Sequence, residues 1–239
     1  MIVVTPAYRE FSQIEIARLR HSQSQFGSSW QHVFAIPSQM DTSLLSLFPD
    51  AGIHRFNDEY FASKQGYSKL LLTKDFYNSF DQYEFLMILQ ADAFITQKIP
   101  TDVYWNFDYI GAPWRTSRKI LLTKKSLHIN SVRFPWKKRI EIQVGNGGLS
   151  IRKIDAMKSC IDIINSNHKF LNTGYYNEDT VFATILKKYN FRIPTSAQAE
   201  KIFCEHLAQD RDDIPNCYGF HALNRYNPRL ELRILQGNT

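Results

Sequence analysis

The chain has 239 residues, enough for one large α/β domain with a substantial core and few for two independent ones. Apolar residues make up 44% and charged residues 22%, which excludes a disordered chain, and no apolar run approaches the roughly 18–20 residues that span a bilayer. The net charge is +6, and the three cysteines, Cys160, Cys204 and Cys217, are widely spaced with no C-x-x-C pair; this speaks against a disulfide framework or a zinc site and fits a reducing, cytoplasmic setting.

MIVVTPAY reads as a short buried strand ending at Pro6. It lacks the basic region and long apolar core of a signal peptide. A helix follows from about Glu10 to Gln25, then a strand HVFAIP closed by Pro37, a short apolar segment from Leu44 to Phe48, and a third strand GIHRFND. SKLLLTKDFYNSF has Leu71, Leu72, Phe76 and Phe80 at helical spacing, with Ser68 as its cap. YEFLMILQADAFI is a near-continuous apolar run, the pattern of a central strand buried on both faces, interrupted by Gln90 and Asp92.

DYIGAPW is a further strand ending in a Gly-Pro turn. From Arg115 to Arg139 the chain carries Arg115, Arg118, Lys119, Lys124, Lys125, Arg133, Lys137, Lys138 and Arg139 without one Asp or Glu. Such a cluster is either a solvated basic loop or a surface for a polyanion, an anionic membrane or a phosphorylated substrate. IEIQVGNGGLSIRK is a strand, a glycine-rich turn and a continuation. Ala156 to Asn165 and NEDTVFATILKKY are helical, and the C-terminal part holds more turn residues. Strands alternating with helices imply a mostly parallel sheet flanked by helices, whose ligands bind beyond the carboxyl ends of the strands.

Four features interrupt this pattern. Asp92 ends an apolar strand, where a carboxylate is costly without a cation or hydrogen-bond donors. A divalent ion bridging a diphosphate supplies that compensation, and so does a turn that Asp92 caps. Gln90 lies two residues earlier, on the same side of an extended chain. The glycines around Asn146 permit positive φ and close backbone approach, to a ligand or simply within a tight turn. Glu178 and Asp179 sit in the first turn of a helix, where the dipole stabilises them and where one could act as a general base. His221 follows a Gly-aromatic turn, as a late metal ligand or a packed side chain.

Taken in order, LQADAFI, DYIGAPW, VGNGGLSIRK, NEDTVF and GFH resemble the bacterial glycosyltransferase-like proteins of surface-polysaccharide clusters, long catalogued as a domain of unknown function. The resemblance runs from about Ile2 to His221. It implies a single GT-A-like, Rossmann-like domain over 1–239. About 1–110 would bind the nucleotide-sugar and about 111–239 the acceptor. It implies a metal on Asp92 and His221, with Gln90 in place of the first Asp of the usual Asp-x-Asp motif. Thr5, Tyr8, Arg9, Lys69, Gln90, Ala91 and Asp92 would then hold the donor, Tyr8 stacking on a uracil and Arg9 and Lys69 meeting phosphate. Trp114, Asn146, Gly147 and Gly148 would line the sugar.

The implied reaction is inverting transfer with Mn²⁺ or Mg²⁺, Asp179 as base and Glu178 orienting the loop or the acceptor. The partners expected are a nucleotide-sugar, a saccharide or lipid-linked saccharide acceptor and an anionic membrane face contacted through 115–139, with no nucleic acid. Two other readings stand beside it: a metal-dependent phosphodiesterase or nuclease, which would use the same Asp and His types, and a nucleic-acid-binding protein, suggested by the pI of about 9.1 and the basic run.

Overall fold

A computed structural model describes residues 1–130, 136–168, 176–205 and 213–237; Arg133 of the basic segment lies outside them. In chain order the first half comprises β1 (Ile2–Pro6), α1 (Gln13–Ser24), β2 (Gln31–Pro37), β3 (Gly52–Phe56), α2 (Lys64–Leu71), α3 (Lys74–Asn78), β4 (Phe85–Leu89), β5 (Ala93–Ile95), α4 (Thr101–Tyr104) and β6 (Tyr109–Gly111). The second half comprises β7 (Pro113–Leu122), β8 (Leu127–Ile129), β9 (Ile140–Val144), β10 (Leu149–Lys153), α5 (Ile154–Asn167), α6 (Glu178–Lys188), α7 (Ser196–Glu200), β11 (Phe203–Cys204), β12 (Gly219–His221), α8 (Leu223–Tyr226) and α9 (Pro228–Leu235).

The mixed α/β architecture centres on a six-stranded sheet of order β3-β2-β1-β4-β10-β6. The pairs β3–β2, β2–β1 and β1–β4 are parallel, whereas β10 runs antiparallel to both β4 and β6. Neighbouring residues of the central strands feed opposite cores. Val4, Leu86 and Ile88 pack with Leu71, Phe76, Ile161 and Phe182 from α2, α3, α5 and α6. Val3, Met87 and Leu89 pack with Ile16 and Leu19 of α1 on the other face. Burial on both faces is what makes β4 a continuous apolar run. Among the described residues no helix is long and apolar enough to cross a membrane.

Several expected elements are divided in the fold. YEFLMILQADAFI is two strands in different sheets. β4 belongs to the central sheet and β5 pairs with β12, because the chain turns at Gln90–Asp92, closed by Ala93 N–H to the Gln90 carbonyl at 2.9 Å. The expected helix capped by Ser68 begins earlier and breaks: Ser63 caps α2 through Gly66 N–H, and Thr73 caps α3 through Phe76 N–H. The glycine-rich turn joins two sheets. β9 belongs to a small antiparallel sheet β8-β7-β9, and β10 to the central one. Described cations of the basic segment therefore stand partly on strands, with Arg115, Arg118 and Lys119 on β7. The three cysteines are buried and in no disulfide.

Candidate functional site

The carboxyl ends of β1 and β4 and the start of the antiparallel β10 meet at one edge of the central sheet. The turn after β4 is stitched to the glycine turn by Gln90 N–H donating to the Gly148 carbonyl at 2.9 Å. It is stitched to the C-terminal region by Ala222 N–H donating to the Asp92 carbonyl at 2.8 Å. Two cavities open here. The first, about 590 Å³, is bounded by the segment after β1 (Tyr8, Arg9, Phe11) and by Phe61 and Ser63 near the start of α2. The second, about 480 Å³, is bounded by Trp114, the 146–148 turn, the start of α6 and Glu205. Lys64, Tyr67, Gln90, Asp92 and Arg225 line both, so the clefts meet at the turn that carries Asp92.

Asp92 is half-buried between two cations. Its Oδ2 accepts from Arg225 Nη2 at 2.9 Å, and its Oδ1 lies 3.4 Å from His221 Nε2. Burial would raise its pKa, but the hydrogen bond and charge of His221, with Arg225, hold it below the usual carboxylate range. The far nitrogen of His221, Nδ1, lies 3.4 Å from Glu205 Oε1. Burial alone would lower the imidazole; the two carboxylates outweigh it and lift it to about 9.

Asp92 Oδ1 and His221 Nε2 are side by side, close enough to share one cation, and Glu205 on the opposite edge of the ring fixes the imidazole as a carboxylate does behind many metal-bound histidines. The space before them exists because residue 148 is glycine. A Cβ there would stand 2.3 Å from His221 Nε2 and 2.8 Å from Gln90 Oε1. The pair therefore has the donor types and the room for a divalent cation that takes further oxygen ligands. Among the described residues no group of three or more His, Cys, Asp or Glu side chains converges as a metal site.

The second cleft is closed by the start of α6. Glu178 is committed: Ser68 Oγ–H donates to its Oε2 at 2.9 Å, and Arg152 Nη2 lies 3.5 Å from its Oε1. Arg152 is fully buried. It donates to Tyr77 OH and Ser150 Oγ, each at 3.0 Å, and to the Gly147 carbonyl at 3.4 Å. Asp179 by contrast is half-buried and accepts from the N–H and hydroxyl of Thr180 through one oxygen. Burial and the adjacent Glu178 push its carboxyl up to about 6, into the range of a general base at neutral pH.

The glycines serve close approach. Among the described residues positive φ at glycine occurs at Gly237, so the expectation of positive φ around Asn146 is corrected. A Cβ on Gly147 would stand 2.4 Å from Glu178 Oε1. Asn146 is buried, with its side-chain oxygen accepting from Gly148 N–H at 2.9 Å.

The structure gathers Tyr8, Arg9, Gln90, Ala91 and Asp92 at the first cleft and Trp114, Asn146, Gly147, Gly148, Glu178, Asp179 and His221 at the second. Two expected donor contacts lie elsewhere. Thr5 is fully buried, its Oγ1 hydrogen-bonded at 2.9 Å to His32 Nε2. Lys69 falls in the last turn of α2 because that helix starts at Lys64, and Lys64 faces the clefts instead. Arg9 is bound bidentately by Glu15 at 2.7 and 2.9 Å. One face of Trp114 carries the Arg118 guanidinium, 3.7 Å from the ring centroid, so the indole supports Arg118 on that face. Sequence reasoning missed Lys64, Glu205 and Arg225, which stand in no recognisable pattern. It also passed over Arg152, whose charge in the apolar alternation of β10 was a legible signal.

Residues 50–221 match the model of a family described as a protein of unknown function (DUF5672), and the chain belongs to that family. The matched span holds Asp92, the 146–148 turn, Glu178, Asp179 and His221; the Tyr8–Phe11 wall of the first cleft precedes it. No curated protein matches the chain.

Proposed function

We propose that this protein is a glycosyltransferase of GT-A type that moves a sugar from a UDP-linked donor to a saccharide acceptor in cell-surface polysaccharide synthesis. The observation that carries the reading is the junction of the two clefts. An exposed aromatic, Tyr8, stands on one side, the Asp92–His221 pair sits at the meeting point, and an uncommitted carboxylate with a raised pKa, Asp179, stands on the other. A nucleotide-sugar is long enough to need both cavities, and an acceptor hydroxyl needs a base beyond the sugar.

In this mechanism Tyr8 and Phe61 flank the base. Lys64 and Arg225, which line both clefts, meet the diphosphate. A divalent cation held by Asp92 and His221 would supply Lewis-acid stabilisation of the departing charge. Asp179 accepts the proton of the acceptor hydroxyl as its oxygen bonds to the anomeric carbon. The bond from that carbon to the phosphate oxygen breaks, its electron pair leaving with the diphosphate, and the configuration inverts. Glu178 keeps Ser68 and Arg152 in place behind the sugar-lining glycines. The protein works at the cytoplasmic membrane face, contacting anionic lipid through Lys124, Lys125, Lys137 and Lys138.

The test is a panel of nucleotide-sugars with nucleotide release as readout, with and without Mn²⁺. Release of UDP from one donor, stimulated by a saccharide acceptor and lost in Asp179→Asn, supports the reading. Failure of every donor to bind or react overturns it.

A further inference from the structure

The second cleft holds two guanidinium groups that the transfer chemistry above does not use. Arg115 and Arg118 both stand on β7 and line this cleft, and neither lines the first. The stretch between the pairs Pro113–Val144 and Arg118–Ile142 is irregular. It carries Trp114, Arg115 and Thr116, all of which face the cleft. Such a bulge re-aims side chains away from the ladder.

Neither arginine is held in a direct ion pair among the described residues. Among the described residues Arg115 makes no ion pair. Arg118 rests on Trp114 and donates to Thr180 Oγ1 at 3.1 Å, with no carboxylate within salt-bridge distance. Three of the cleft's carboxylates are engaged elsewhere, Asp92 by Arg225 and His221, Glu178 by Arg152 and Glu205 by His221; the fourth, Asp179, shares the Thr180 hydroxyl with Arg118 and feels its charge without a direct ion pair. Arg118 is also preset. Stacking on an indole and a hydroxyl bond fix the planar fork before any ligand arrives, which lowers the entropy cost of bidentate recognition.

The division of cations between the clefts assigns their tasks. Lys64 and Arg225 stand at the junction, where a donor diphosphate would lie. Arg115 and Arg118 stand only on the far side, with Asp179. We infer that Arg115 and Arg118 bind an anionic group, phosphate or carboxylate, carried by the acceptor. The inference rests on the glycosyltransferase reading for the word acceptor; the anion site itself stands on the arginines.

The experiment separates the two. The wild-type protein is saturated with UDP to fill the donor side, then titrated by calorimetry with inorganic phosphate and, separately, with glucuronate; the two arms tell a phosphate from a carboxylate source. One or both should bind, and Arg115→Gln and Arg118→Gln should each weaken that binding at least tenfold, by more than they weaken UDP itself. Arg115 is exposed on its strand, so its variant keeps the test valid if the loss of Arg118 disturbs Trp114. Arg118→Lys should fall between wild type and Gln, because a point charge replaces the fork. Absence of phosphate and glucuronate binding to the UDP-loaded protein overturns the inference while leaving the donor reading intact. Equal losses for UDP and the second anion also overturn it, placing the arginines on the donor. If UDP fails to bind but either anion binds in an arginine-dependent way, the anion site stands and the glycosyltransferase reading falls.

Discussion

Asp179 and Glu178 are adjacent carboxylates with opposite situations. Both oxygens of Glu178 are taken by Ser68 and Arg152, whereas Asp179 keeps one oxygen free and is pushed up to about 6 by burial and by its neighbour. Asp179→Asn should therefore lower kcat by about 10²–10⁴-fold while UDP affinity stays within about twofold. A carboxyl whose folded pKa is raised contributes stability while protonated and loses it as pH rises through about 6. Asp179→Asn should accordingly unfold at higher urea than wild type at pH 8, by on the order of 2 kcal/mol, and show no such advantage at pH 3; an equal effect at both pH values would refute the burial argument. Arg152 is the opposite case, a fully buried charge satisfied by several partners. Arg152→Met leaves Glu178 without its cation and should cost about 3–5 kcal/mol in urea unfolding. Glu205→Gln removes the carboxylate behind His221 and should weaken Mn²⁺ binding, followed by titration of the ion alone, by about 10–100-fold.

At the scale of elements, the glycine turn is the piece that most constrains the site. Gly148→Ala would drive a methyl into His221 Nε2 and Gln90 Oε1. It should cost Mn²⁺ affinity at least as much as Glu205→Gln, with the far-UV circular dichroism unchanged. The order of strands and helices in the first half was legible because burial on two faces leaves unbroken apolar runs such as Phe85–Leu89. What was hidden were the breaks. Nothing local distinguishes a strand that ends at Leu89 from one that continues to Ile95, since Phe94 and Ile95 are as buried as Ile88 and only the partner strand differs. Ser68-Lys69 followed by three leucines has the pattern of a helix start, yet Ser63 is also a cap, and the fold uses Ser63. Of the site, Asp92, the 146–148 turn, Glu178, Asp179 and His221 could be picked out and do lie together. Thr5 and Lys69 could not be told from cleft residues because their direction depends on registers that a sequence does not print. Arg225 reaches Asp92 through folding across more than a hundred residues, and Glu205 reaches His221 from the end of the strand that β12 pairs with.

For the whole molecule, ligand linkage gives a direct check on the donor site. UDP with Mn²⁺ at about 100 times its Kd should stabilise the fold by about 2.7 kcal/mol, a rise in Tm of roughly 5–10 °C for a chain of this size; oligonucleotides should not reproduce it. The membrane contact we propose is narrower than the run of cations implied, because Arg115 and Arg118 line the second cleft. Charge reversal of exposed Lys124, Lys125, Lys137 and Lys138 should release the protein from anionic liposomes, and unchanged partitioning would remove this contact from the reading.

The turn between β7 and β8 closes on itself, with Thr123 N–H donating to the Ser126 carbonyl at 2.8 Å and the two hydroxyls 2.8 Å apart. Its tip, Lys124–Lys125, is exposed. The polypeptide is thus open to grafting there and closed to it at Asn146, whose turn is held by Tyr109, Arg152 and the backbone of Gln90. A peptide tag spliced between Lys124 and Lys125 would give a handle outside the lining of both clefts, from which small-molecule binding could be watched in real time without touching the chemistry.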